Sequence, residues 1–142
     1  MLQRSTYLIL GLIFGLYVLF SCQSGLSVET MQYATNGQKV YTANCQNCHG
    51  ANGEGLGKLY PPLNDTVFLN LNRHKLACIV KNGMSGEITI NGEKYNQAMP
   101  GVPQMNSTDI AYVLTYVTTY FGNSKTHFTR EEIEKYLKEC DQ

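Results

Sequence analysis

Five consecutive residues, Cys45-Gln46-Asn47-Cys48-His49, constrain this chain more than anything else in it. Cys-x-x-Cys-His is the attachment sequence of a covalently bound c-type haem. Two thiols spaced on a helical turn can each add to one vinyl group, and the histidine that follows is then placed under the iron as an axial ligand. A bare Cys-x-x-Cys also suits half of a zinc site or a redox dithiol. No second Cys-x-x-Cys or His-x-x-x-His follows at zinc-ligand spacing, no βαβ pattern surrounds the motif, and a redox dithiol needs no adjacent histidine. The expectation is one covalent haem c on Cys45 and Cys48 with His49 as a metal ligand, against zinc, dithiol chemistry or coincidence.

The N-terminus reads as an export signal, which fits a haem that is attached outside the cytoplasm. Arg4 supplies a positive start, and Tyr7 to Phe20 is an unbroken run of 14 apolar or glycine residues, short of the roughly 20 that a bilayer span needs. The run ends in Leu19-Phe20-Ser21-Cys22. This resembles the lipobox of bacterial lipoproteins, with Phe20 standing where a small residue is usual, and makes Cys22 the expected lipidation site. The alternatives are an uncleaved short anchor or a plain signal peptide. Residues 1–22 are therefore assigned to the signal, 23–31 to a small, polar tether, and 32–142 to one exported domain, periplasmic or on the cell surface.

Charge excludes one class of partner. Removing Arg4 from the 11 Lys and Arg leaves ten against 11 Asp and Glu, so the mature chain is near neutral and carries no nucleic-acid footprint. Arg73, His74, Lys75 and Lys81 form a local basic group, read as a solvated helix face or as a docking patch for an acidic partner.

The domain reads as mainly α. From Gly37, Val40, Tyr41 and Cys45 recur at helical spacing and put the haem motif at a helix end. Glycines at 50, 53, 55 and 57 then force a loop, which Tyr60-Pro61-Pro62-Leu63 closes in extended geometry. Leu69 to Lys81 is amphipathic and stops at Asn82-Gly83. Ile88-Thr89-Ile90, Asn91-Gly92 and Glu93-Lys94-Tyr95 predict a small β-hairpin just before Met99. Thr108 to Phe121 predicts a core helix, and a Thr129 to Glu132 capping box starts a further C-terminal helix through about Glu139.

An electron-carrying haem needs a second protein ligand, and Met31, Met84, Met99, Met105, His74 and His127 are the candidates. Met99-Pro100 is preferred because its glycine- and proline-rich loop can wrap the distal face with limited entropy loss. Thioether sulfur favours ferrous iron and raises the potential. Met84, in the turn at Asn82 to Gly86, is the main rival; otherwise it fills space.

At these residues the chain resembles a class I, monohaem, His/Met-ligated cytochrome c over about residues 34–121, with 122–142 as a helical extension. Gly37 and Tyr41 match the glycine and aromatic of that family's N-terminal helix, and Val113 and Tyr116 match the partner helix that crosses it. The resemblance implies a cytochrome c fold wrapped around one haem. It also implies that Pro61 offers its carbonyl to Nδ1 of His49 and that Leu63 packs on the haem face. The stretch from Asn82 to Met99-Pro100 is similar to a bacterial subgroup found beside quinoprotein dehydrogenases and terminal oxidases.

Cys78 and Cys140 remain, an even pair in an oxidising compartment, either bonded or two unrelated thiols. The expected function is a membrane-tethered carrier passing single electrons between redox proteins such as a respiratory complex, a terminal oxidase or a quinoprotein dehydrogenase. It is not expected to be an enzyme, with both axial positions filled and no acid–base constellation visible. The alternatives are a haem peroxidase, which needs an open or labile sixth position, and a haem sensor or structural subunit of a larger oxidoreductase.

Overall fold

Two helices that cross at a glycine set the frame. The computed structural model describes residues 25–140, so the signal segment and Cys22 lie outside the described residues. Helix α1, Val28–Asn44, is capped by the Ser27 side chain, which accepts from the Thr30 amide. It buries Thr30, Ala34, Gly37 and Tyr41 along one stripe. Helix α5, Ser107–Tyr116, crosses it; a Cβ built at Gly37 would lie 2.6 Å from the Tyr112 carbonyl carbon and 2.8 Å from the Tyr116 Cβ. The crossing therefore admits glycine alone.

The haem motif follows directly. Helix α2, Gln46–His49, is one turn set off from α1 by a bend at Cys45. Two short helices come next, α3 at Thr66–Leu71 and α4 at Leu76–Asn82. Two antiparallel strand pairs come between α4 and α5. Strand β1, Gly83–Met84, pairs with β4, Met99–Pro100, while β2, Ile88–Ile90, pairs with β3, Glu93–Tyr95. The Asn91-Gly92 turn of the second pair has positive φ at both positions, 50° and 82°, as the sequence predicts for a two-residue hairpin. Helix α5 widens at its end into a π-type turn, Val117–Phe121, with the Gly122 amide donating to the Val117 carbonyl at 3.2 Å.

Helix α6, Arg130–Lys138, starts at the Thr129–Glu132 capping box. Its Ile133 and the preceding Phe128, both fully buried, join Leu76, Ala77, Ile110 and Leu114 in one core. A disulfide joins Cys78 of α4 to Cys140 past the end of α6. Closing a chain segment 62 residues long stabilises the fold by about 4 kcal/mol in the chain-entropy account.

Three expectations are corrected. Helix α1 begins at Val28, so residues 28–31 belong to the folded domain and not to a tether over 23–31. The first part of its buried stripe, Thr30, Ala34 and Gly37, is made of small residues, which carry little apolar signal. The pattern read as one helix over Leu69 to Lys81 is two, broken by turns at residues 72–75. Finally, the basic group at 73 to 81 is not one solvated face. Arg73 stacks 3.6 Å above the Phe128 ring and donates to the His127 carbonyl, while Lys81 donates to the Pro103 and Met105 carbonyls.

Gly37→Ala is the sharpest test of the frame. Alanine gains about 1 kcal/mol in helix propensity, but forcing a methyl into a backbone contact costs about 3 kcal/mol or more. Denaturant unfolding should show a net loss of at least about 2 kcal/mol, and a stabilised variant would mean that the helices are not held at this distance.

Candidate haem site

The site is assembled from the far end of α1, the loop after α2 and the distal strands. Tyr41, fully buried at the crossing, donates its hydroxyl to the Gly50 carbonyl at 2.6 Å and so ties the chain after the motif back onto α1. Burial is the main reason its phenol resists ionisation, so it remains a donor. The Glu54 carboxylate accepts from the Asn52 amide at 2.7 Å and tightens the same turn. These contacts fix where Cys45, Cys48 and His49 point.

His49 is buried, and its Nδ1 lies 3.0 Å from the Pro61 carbonyl. A carbonyl only accepts, so Nδ1 carries the proton and Nε2 keeps its lone pair. Burial lowers the imidazole pKa against the opposing effect of that hydrogen bond, so the ring is held in the neutral, ligating form. Cys45 and Cys48 are not bonded to each other. Burial first, and the neighbouring Cys48 second, push the Cys45 thiol up to about 11.

One cavity brings the expected residues together. Cys45, Cys48, His49, Pro61, Leu63 and Met99 all line it, with Leu76, Val80, Val113 and Leu114 among its apolar walls. Met84 also lines it, and the strand register places Met84 directly opposite Met99, so that both side chains project from the same face of the ladder. Gly83 makes this ladder possible. Its φ is 83°, and a Cβ there would meet the Met99 carbonyl oxygen at 2.5 Å and the Gly101 amide nitrogen at 2.7 Å. Of the other ligand candidates, Met105 is buried in the main core, His74 is exposed, and His127 is bound to Thr30 through Nδ1 and paired with Glu29.

The donor set fits a covalently attached haem. Two thiols, one neutral imidazole with a free Nε2 lone pair and the thioethers of Met99 and Met84 share a largely apolar cavity, which suits a flat apolar macrocycle with nitrogen and sulfur axial ligands. Among the described residues, no three His, Cys, Asp or Glu side chains gather where they could hold a bare metal ion.

The sequence did not point to the brace between this cavity and the hairpin. Asp65 caps α3, accepting from the Phe68 amide at 2.9 Å, and its other oxygen accepts from the Asn91 amide at 2.8 Å. Asn64 accepts from the Asn91 side chain at 2.9 Å. Ile88, Ile90 and Tyr95, which the hairpin contributes to the cavity wall, are thereby held against α3. An Asn-Asp pair before a short helix signals a cap, but nothing local names a partner 26 residues away.

A family model described as cytochrome c matches residues 34–120. Cytochrome c-552 of Thermus thermophilus is 35% identical over 109 residues, covering 70% of this chain and 82% of the relative. A second cytochrome c-552 of the same species is also 35% identical over 109 residues, covering 70% of this chain and 73% of the relative. Among solved structures, the crystal structure of the c-type cytochrome XoxG from Methylobacterium extorquens AM1 is similar with a TM-score of 0.44 at 22% identity, covering 76% of this chain and 67% of that one.

The Asp65 brace has a pH signature. Its carboxyl is held below the usual range, first by the Asn91 amide and then by the Phe68 amide. A folded pKa below the unfolded one adds stability above the unfolded value, and this is lost as pH falls through the folded value. Asp65→Ala should cost about 1 kcal/mol near neutral pH, with the deficit shrinking below about pH 4. Unfolding curves at neutral and acid pH check this, and a deficit that does not change with pH would remove the carboxylate from the account.

Proposed function

The chain belongs to the cytochrome c family and carries haem c, and from that premise we propose that it is an exported electron carrier whose iron is held between His49 and Met99. When bound, the haem supplies a one-electron ferric/ferrous couple. The chain's own residues supply everything around it. Pro61 orients the His49 ring through Nδ1 and increases its basicity as a ligand. Met99 offers a soft sulfur that favours the reduced state, and the apolar walls exclude water and disfavour the extra charge of the oxidised one. The observation that carries the reading is one cavity lined by Cys45, Cys48, His49 and Met99, with His49 bonded to Pro61.

A carrier is favoured over a peroxidase by what faces the distal side. A peroxidase needs an open or labile sixth position with a group free to move protons. Here two thioethers face the cavity, and the carboxylate on its wall, Asp65, has its oxygens committed to backbone amides. Met84 is the second reading for the sixth ligand, supported by its register opposite Met99.

The tether is part of the proposal. With Cys22 lipidated, the anchor is separated from α1 by residues 23–27. Five extended residues reach roughly 17 Å, and α1 spans about 26 Å. The domain is thus confined near the bilayer with the haem motif at the end of α1 remote from its anchored start, a geometry suited to membrane-bound redox partners such as a respiratory complex, terminal oxidase or quinoprotein dehydrogenase. Among the described residues no helix is long and apolar enough to cross a membrane.

Two measurements separate the possibilities. Met99→Ala should abolish the ferric charge-transfer band of thioether ligation and lower the midpoint potential by about 100 mV or more, with Met84→Ala leaving both nearly unchanged; the reverse pattern would move the ligand to Met84. Cys22→Ser should shift the protein from the membrane to the soluble fraction and remove the lipid mass. Retention of the variant in the membrane would replace lipidation by an uncleaved anchor.

A further inference from the structure

Helix α4 has two jobs on opposite faces. Leu76, Ile79 and Val80 line the haem cavity, whereas position 78, about half a helical turn away, carries the disulfide to Cys140. Seven residues are too few for a helix to hold itself. Its placement depends on what grips it, and the grips fall into two sets.

The first set joins α4 to the segment that bears Met99. The Val102 amide donates to the Val80 carbonyl at 2.9 Å. The Lys81 ammonium donates to the Pro103 carbonyl and, at 2.9 Å, to the Met105 carbonyl. Beyond Asn82 the helix passes straight into β1, which pairs with β4 and sets Met84 opposite Met99. Wherever α4 sits, residues 99 to 105 go with it. The second set joins α4 to the C-terminal extension. Arg73 stacks on Phe128 and donates to the His127 carbonyl just before the helix begins, and Cys78 is bonded to Cys140. The extension is itself seated in the core by Phe128 and Ile133.

From these contacts we infer that the Cys78–Cys140 bond and Lys81 are positioning residues for the sixth haem ligand. They hold α4, and through it the Met99 strand, and so set how readily Met99 yields its place to another ligand. The inference rests on the His49/Met99 reading. It differs from a purely stabilising disulfide in a measurable way. A bond that acts only by restricting the unfolded chain lowers global stability on removal and leaves the native state unchanged. A positioning bond changes local opening within the native state.

The experiment uses the haem-loaded ferric protein and imidazole as the competing ligand. Three forms are compared with the parent: Cys78→Ala/Cys140→Ala, the parent with its disulfide reduced by a phosphine after folding, and Lys81→Met. The reduced parent keeps the question open should the double variant fail to fold. Each form should bind imidazole about tenfold more tightly, and the Val102 amide should exchange faster by a similar factor, because the competent open state is more populated. A form within about twofold of the parent in both readouts strikes its residue from the assignment, and all three within that range overturn the inference even if stability falls. Retention of the thioether charge-transfer band in Met99→Ala overturns instead the ligand reading on which the inference rests.

Discussion

The close approach of α1 to α5 at Gly37 is the constraint on which the rest depends. With the α5 backbone at Tyr112 against the α1 backbone, one end of α1 delivers Cys45 and the His49 turn to the cavity. The α5 residues Val113 and Leu114, with Val117 just beyond them, form its wall. Tyr41 fills the crossing from the α1 side, with its ring 5.3 Å from that of Tyr116, and spends its hydroxyl on Gly50. The packing that sets the helix angle also aims the haem motif. A larger residue at 37 would move both.

Around that crossing the site is built from short pieces that could not stand alone. Helices α2, α3 and α4 and all four strands are too brief to be stable by themselves. Each of the helices is held by a named contact: α2 by the Tyr41 to Gly50 bond, α3 and the hairpin by Asp65, and α4 by Lys81 and Cys78. Proposed ligands His49 and Met99 thus arrive from segments whose rigidity is borrowed from the core. Such a site is preorganised for a centre whose coordination should change little between oxidation states.

Much of this is legible in the sequence, and the reasons for the rest are physical. Cys45 to His49 is a pattern in which adjacent residues share one chemical task, and the Asn91-Gly92 turn and the Thr129–Glu132 capping box are equally local. The sequence pattern starts helix α1 at Gly37 and not at Val28, because its first turns bury Thr30 and Ala34, which leave no apolar stripe to detect. The break at residues 72–75 is hidden because Leu69 and Leu76 flank it seven residues apart, in phase for one helix, while Asn72 to Lys75 pass for its polar face. Arg73 and Lys81 look like surface cations by type; only the fold shows that one covers Phe128 and the other ties two carbonyls. The placement of Met84 opposite Met99 depends on a strand pairing between distant positions that no local signal announces.

The central claim is that the haem-loaded protein is a six-coordinate one-electron carrier closed by His49 and a methionine. A potentiometric titration followed by absorbance tests it most directly. The account predicts a single Nernstian wave of one electron, low-spin spectra at both ends, and the thioether charge-transfer band at the oxidised end. A high-spin ferric spectrum in the native protein, or a wave accompanied by gain or loss of an axial ligand, would contradict it.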